Sequence, residues 1–196
     1  MVKVRLYLVR HGKTMFNTIG RAQGWSDTPL TAEGERGIQE LGIGLRESGL
    51  QFERAYSSDS GRTIQTMGII LEELGLQEKI PYRMDKRIRE WCFGSFDGAY
   101  DGDLFMGIIP RIFNVDHVHQ LSYAELAEGL VEVDTAGWAE GWEKLSGRIK
   151  EGFEAIAKEM EEQGGGNALV VSHGMTIGTI VYLINGMHPH GLDNGS

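Results

Sequence analysis

At 196 residues, 41% hydrophobic and 24% charged, the chain suits one globular domain over 1–196, long enough to bury a real core. A net charge of −9 argues against a nucleic-acid or anionic-membrane binder, while leaving room for a small anionic substrate in a local basic pocket. One cysteine, Cys92, rules out an internal disulfide and fits a reducing, cytoplasmic compartment.

The N-terminus runs straight into a strand, with no signal peptide and no apolar run of membrane-spanning length. The apolar run at 4–9 reads as a buried strand that ends in Arg10-His11-Gly12. A polar loop follows over 12–30, holding Asn17, Arg21, Gln23 and Gly24. Thr31 is a fair N-cap for a helix that buries Ile38, Leu41 and Leu45 and stops near Gly49. Residues 52–57 form a second strand. Ser58, Asp59 or Ser60 caps the next helix, which buries Ile64, Met67, Ile70 or Leu71, and Leu74, with Gly75 as its stop. Residues 80–84 are a third extended piece.

From Glu90 to about Val133 the pattern weakens into loops and short helices. An irregular insertion at about 97–136 is expected to cover the active site. Trp138, Trp142, Leu145, Ile149, Phe153, Ile156 and Met160 then mark a long amphipathic helix whose Trp residues read as core. Gly164-Gly165-Gly166 is a turn, 168–171 a fully buried strand, and 175–185 an apolar helix closed by Gly186. Strands alternating with helices indicate an α/β fold: three layers, with a mostly parallel, Rossmann-like sheet covered on both faces.

Two strands end alike, in Arg10-His11-Gly12 and Ser172-His173-Gly174. Both histidines are expected at the C-terminal edge of the sheet, where open α/β sheets bind ligands. Gly12 and Gly174 let a ligand approach the backbone. A lone turn histidine would be unremarked; two in the same setting suggest a site. A third strand end leads into a helix with Arg62 in its first turn, whose N-terminus is expected to offer donors to an anion. The plainer readings are a surface salt bridge for Arg62, and for Glu90 a partner of Arg87 or Arg89.

The chain resembles the histidine phosphatase (phosphoglycerate mutase-like) superfamily over nearly its whole length. The resemblance rests on four motifs in order. They are Leu8-Val9-Arg10-His11-Gly12-Lys13-Thr14 with Asn17; Ser57-Ser58-Asp59-Ser60-Gly61-Arg62-Thr63-Ile64-Gln65-Thr66; Arg89-Glu90 ahead of Phe93-Gly94-Ser95-Phe96-Asp97-Gly98; and Val171-Ser172-His173-Gly174. It implies a phosphoglycerate mutase-like fold and makes His11 the nucleophile that becomes phosphorylated. Arg10, Arg62 and His173 would bind the phosphoryl oxygens, and Glu90 would protonate the leaving oxygen and later activate water. Asn17 and the Gln23-Gly24 backbone would line the phosphate pocket. No metal or other cofactor is implied, and the partner is a small phosphorylated substrate; a homodimer is compatible with this.

Lys13 stands where the family often has an acid or amide, and Thr63 where Ala is usual. The family continues past a turn like Leu192-Asp193-Asn194 into a last strand, so either that strand is missing here or the sequence is truncated. Gly12-Lys13-Thr14 is not the end of a nucleotide-binding P-loop, because Tyr7 occupies the position that needs glycine. Asp116-His117-Val118-His119 and His188-Pro189-His190 read as surface, and the Asn194-Gly195-Ser196 sequon as accidental. Arg111 is the only base between Tyr100 and Trp138, against seven acids. That balance favours hydrolysis of a phosphate monoester over a cofactor-dependent mutase, which must hold a second anion. A binding module on a degenerate fold would have lost the nucleophile or the acid, and both are present.

Overall fold

The structure, a computed structural model, describes residues 2–186. Four strands form one parallel sheet in the order β1-β4-β2-β3: β1 Val4–Arg10, β2 Arg54–Ser57, β3 Tyr82–Met84 and β4 Gly166–Ser172. β4 is central, and Ala168 to Val171 are fully buried because both of its faces are covered. Alternate side chains serve opposite faces. Leu169 and Val171 join Ile38 of α2 (Ala32–Glu47) and Met67 and Ile70 of α3 (Gly61–Glu73). Ala168 and Val170 meet Leu130 of α5 (Tyr123–Val133), Ile149 and Phe153 of α6 (Trp142–Glu162) and Ile180 of α7 (Gly174–Asn185). Two short helices, α1 (Met15–Thr18) and α4 (Ile109–Phe113), lie in the connections.

The expected three layers are therefore present. Thr31 caps α2 by accepting from the Gly34 N–H, as its position before the periodic segment indicates. Gly186 ends α7 in the left-handed region at φ 71°, which a residue with a side chain adopts only under strain.

Several details differ from the sequence reading. Ser60 is the N-cap of α3 but makes no side-chain cap bond, and the Ser58 hydroxyl is bound to His173 instead. Ile64 faces outward at 37% exposure. The long helix begins at Trp142 because Gly141 is extended and the Trp142 N–H is taken by the Glu128 carboxylate. Trp138 lies ahead of it and is 70% exposed, so it is not core. The segment read as irregular contains a regular helix, α5, with a Ser122–Glu125 capping box. Asp116, His117 and His119 are exposed, and His117 caps a 3-10 turn with Gln120. The expectations on residues 188–196, the missing last strand included, lie outside the described residues.

Candidate active site

The backbone first brings the motifs together. The His11 N–H donates to the Ser172 carbonyl and the Ser58 N–H to the Val171 carbonyl, so the chain segments leaving β1, β4 and β2 are laced at one sheet edge. Gly12 is needed here for close packing more than for a ligand. A Cβ on it would stand 2.8 Å from Ile38, its N–H donates to Thr66 Oγ1, and it does not line the cavity.

His11 is buried, and its Nδ1 lies 2.9 Å from the Gly12 carbonyl. A carbonyl only accepts, so Nδ1 carries the proton and Nε2 the lone pair. Burial, then the Arg62 and Arg10 charges, hold the His11 pKa well below its usual value. The ring is thus kept in its neutral, nucleophilic form. Its centroid is 5.3 Å from that of His173, edge to face.

Arg62 and His173 are fully buried against this ring. Arg62 is no surface ion pair. Its Nη1 donates to Asp27 and to the Ser26 carbonyl, and its Nη2 to the Gly24 carbonyl and to His173 Nδ1. Its Nε is buried with no hydrogen-bond partner among the described residues. The N-terminus of α3 is not open to a ligand as expected, because the Asp27 carboxylate accepts from the Arg62 N–H there. Arg10 packs its guanidinium over Gly174, the first residue of α7, where a Cβ would come within 3.3 Å of Arg10 Nε.

Glu90 is no partner of Arg87 or Arg89, which pair instead with Asp85 and Asp59. Its carboxylate sits on the N-terminus of α7, accepting from the N–H groups of Met175 and Thr176, the Thr176 hydroxyl and the Trp91 N–H. Its carbonyl accepts from Trp25 Nε1 and Arg148 Nη2. Arg148 is itself fixed by a two-pronged ion pair with buried Glu140.

A cavity of about 320 Å³ opens over these groups. Arg10, His11, Asn17, Gln23, Glu90 and Gly174 line it, while Arg62 and His173 stand behind its wall. Gly24 does not line it, and its N–H donates to Asp97. Asp97 is an organising residue the motif reading did not single out. It gathers the N–H groups of Gly24, Trp25, Ser26 and Phe93 and so shapes the loop carrying Gln23. Phe93, Phe105 and Tyr123 also line the cavity. They come from separate segments with no shared motif, so only folding brings them together. Among the described residues no group of three or more His, Cys, Asp or Glu is arranged to hold a metal ion, and no helix is long and apolar enough to cross a membrane.

The model of the histidine phosphatase superfamily (branch 1) matches residues 6–195. The chain belongs to this superfamily. It is 33% identical over 186 residues, 94% of this chain and 76% of the relative, to a "Probable phosphoglycerate mutase GpmB" of Salmonella choleraesuis (strain SC-B67). It superposes on a crystal structure of phosphoglycerate mutase from Bacillus anthracis str. Sterne with a TM-score of 0.91 and 36% identity, covering 100% of this chain and 86% of that one. The alpha-ribazole phosphatase from Shigella flexneri shares the fold, with a TM-score of 0.67 at 24% identity over 93% of this chain and 80% of that one. Histidine phosphatases take small phosphorylated substrates, which suits the cavity described. The β1 and β4 strand ends bring two buried histidines, His11 and His173, to one edge of the sheet.

Proposed function

We propose that the protein is a metal-independent phosphatase that hydrolyses small phosphate monoesters through a phosphohistidine on His11. The observation that carries this reading is the His11 Nδ1 bond to the Gly12 carbonyl, which puts the proton on Nδ1 and makes Nε2 the nucleophilic nitrogen. The Nε2 electron pair forms the N–P bond as the P–O bond to the alcohol breaks. A proton from the Glu90 carboxyl goes to the leaving oxygen. Water then attacks phosphorus, the P–N bond returns its electrons to Nε2, and Glu90 takes the water's proton. Arg10, with Arg62 and His173 behind the ring, offsets the charge on the transferring group, as phosphoryl transfer chiefly requires. Arg62 contributes the positive charge of its buried guanidinium, and His173 the packing it gives the His11 ring.

The second reading is a phosphoglycerate mutase, favoured by the names of the 33% and 36% identical relatives. A mutase returns the phosphoryl group from His11 to a second sugar-acid oxygen instead of to water. Of the cations beyond the site, Arg21 lines the cavity, but Asp101 lines it too. Lys13 is paired with Glu33 and does not line it. The test is a panel of phosphate monoesters in EDTA with wild type and His11→Ala, including 3-phosphoglycerate with and without 2,3-bisphosphoglycerate. Phosphate release by wild type alone supports the phosphatase. Interconversion of phosphoglycerates faster than phosphate release supports the mutase.

A further inference from the structure

The cavity lining is of two kinds. Beside the charged and polar side chains of Arg10, His11 and Glu90 stand three aromatic rings, those of Phe93, Phe105 and Tyr123. They are braced rather than loose. Phe93 meets Phe105 edge to face at 5.6 Å, and Tyr123 is backed edge-on by Trp91 at 5.7 Å and by Tyr182 at 5.5 Å. Trp91 is fully buried, with its Nε1 held by Thr179.

Phe105 reaches the cavity from an unusual backbone. Asp103–Ile108 is a π-helix, a form rare in proteins and often found at functional sites. Within and just after it, Leu104 and Ile109 point into the core with no exposure, while Phe105 lines the cavity. The local widening of the helix thus places an aromatic ring over the site without giving up the core contacts on either side.

The charges point the same way. Beyond Arg10, His11 and Glu90, Arg21 has its Nη1 on the Gly98 carbonyl, and the Asp101 carboxylate lines the same space. Arg111 is exposed and does not line it. A substrate with a second anion meets an acid there as well as a base. A flat apolar group meets braced ring edges and faces, which favour offset or edge-on aromatic contact. At about 320 Å³ the cavity is at the small end of ligand pockets.

We infer that this site selects phosphate monoesters whose alcohol carries a compact aromatic or flat apolar group, with Phe105, Phe93 and Tyr123 as the specificity-determining wall. The inference rests on the phosphatase reading above and adds the class of alcohol. The reaction is the same: the ester P–O bond breaks, the alcohol leaves with a proton from Glu90, and water supplies the oxygen that ends on phosphate.

The experiment compares kcat/KM for benzyl phosphate with that for ethyl phosphate, glycerol 3-phosphate and 3-phosphoglycerate. The first two, like glycerol phosphate, release alkoxides of similar basicity, so a difference between them reports the fit of the alcohol. We expect benzyl phosphate to be preferred over ethyl phosphate by about tenfold or more, the scale on which apolar pockets discriminate. In Phe105→Ala the benzyl-to-ethyl ratio should fall towards one, and in Phe105→Leu, which keeps apolar surface, it should be largely retained. Hydrolysis of all four esters without a benzyl preference, or a preference for 3-phosphoglycerate, overturns the inference and leaves the phosphatase reading standing. An unchanged ratio in Phe105→Ala overturns the role of the wall. No turnover of any ester by wild type overturns the phosphatase reading itself.

Discussion

Arg62 Nη2 donates to His173 Nδ1 across 2.9 Å, with both side chains fully buried. Guanidinium has no lone pair to offer, so His173 must accept at Nδ1 and carry its proton on Nε2. That proton points to Ser58 Oγ at 2.7 Å, which passes its own to Thr63 Oγ1 at 2.8 Å, and Thr63 donates to the Ser60 carbonyl at 2.8 Å. One buried chain of donors, all running the same way, fixes the His173 ring against His11. Thr63 is its last hydroxyl.

Ser58→Ala removes the acceptor for the His173 Nε2 proton and leaves a buried donor unsatisfied. We expect a loss of about 1–3 kcal/mol in denaturant unfolding. A variant as stable as wild type would show that the ring is not held by Ser58.

Glu140→Ala leaves the Arg148 guanidinium without its carboxylate, beneath the carbonyls of Arg87, Arg89 and Glu90. Breaking a buried pair on one side costs about 3–5 kcal/mol. We expect a fall in unfolding free energy of that order, together with slower turnover because the Glu90 backbone loses its anchor. Stability within about 0.5 kcal/mol of wild type, the scatter of a surface substitution, would contradict the clamp.

Both site histidines are neutral when folded. Burial and then Arg62 lower each pKa well below the ordinary value, with Arg10 acting on both rings and His11 also on His173. Unfolded, each takes a proton below about pH 6.5, so the unfolded state then binds more protons and stability rises with pH. Between pH 6.5 and the lowered folded values, each ring should reduce stability by up to about 1.4 kcal/mol per unit of acidification. Denaturant unfolding at pH 7.5, 6.5 and 5.5 measures this. His11→Asn should flatten the slope, and an equal slope in the variant would show that His11 is not held neutral.

Glu90→Gln keeps a group of the same shape but cannot give a proton to the alcohol. General acid catalysis contributes about 10²–10⁴-fold. We expect the full loss with alkyl phosphates and a much smaller one with p-nitrophenyl phosphate, whose leaving group needs little help. Equal losses with both would remove Glu90 from the acid role.

Much of this site could be read before folding because its groups sit at strand ends. The apolar run of β4 is buried on both faces and that of β1, at the edge of the sheet, is mostly half-buried; they stop where Ser172-His173 and Arg10-His11 begin, so hydrophobic pattern and chemistry change at the same residues. The cap of α3 was less legible, since three candidate residues adjoin and the distant His173 decides which hydroxyl is diverted. α5 hid in a glycine-rich stretch although its Ser-x-x-Glu capping box was in view. The Asp27 carboxylate on the α3 N-terminus and the aromatic wall of Phe93, Phe105 and Tyr123 depend on contacts across separate segments, which local periodicity does not encode.

Phosphoryl transfer to His11 is measured most directly by mixing the enzyme with a ³²P-labelled monoester and quenching in the steady state. Phosphohistidine survives base and is lost in acid. Wild type should carry label that is stable in base and released by acid, and His11→Ala should carry none. A wild-type enzyme that turns over substrate without such label, or an alanine variant that retains it, would contradict His11 as the nucleophile.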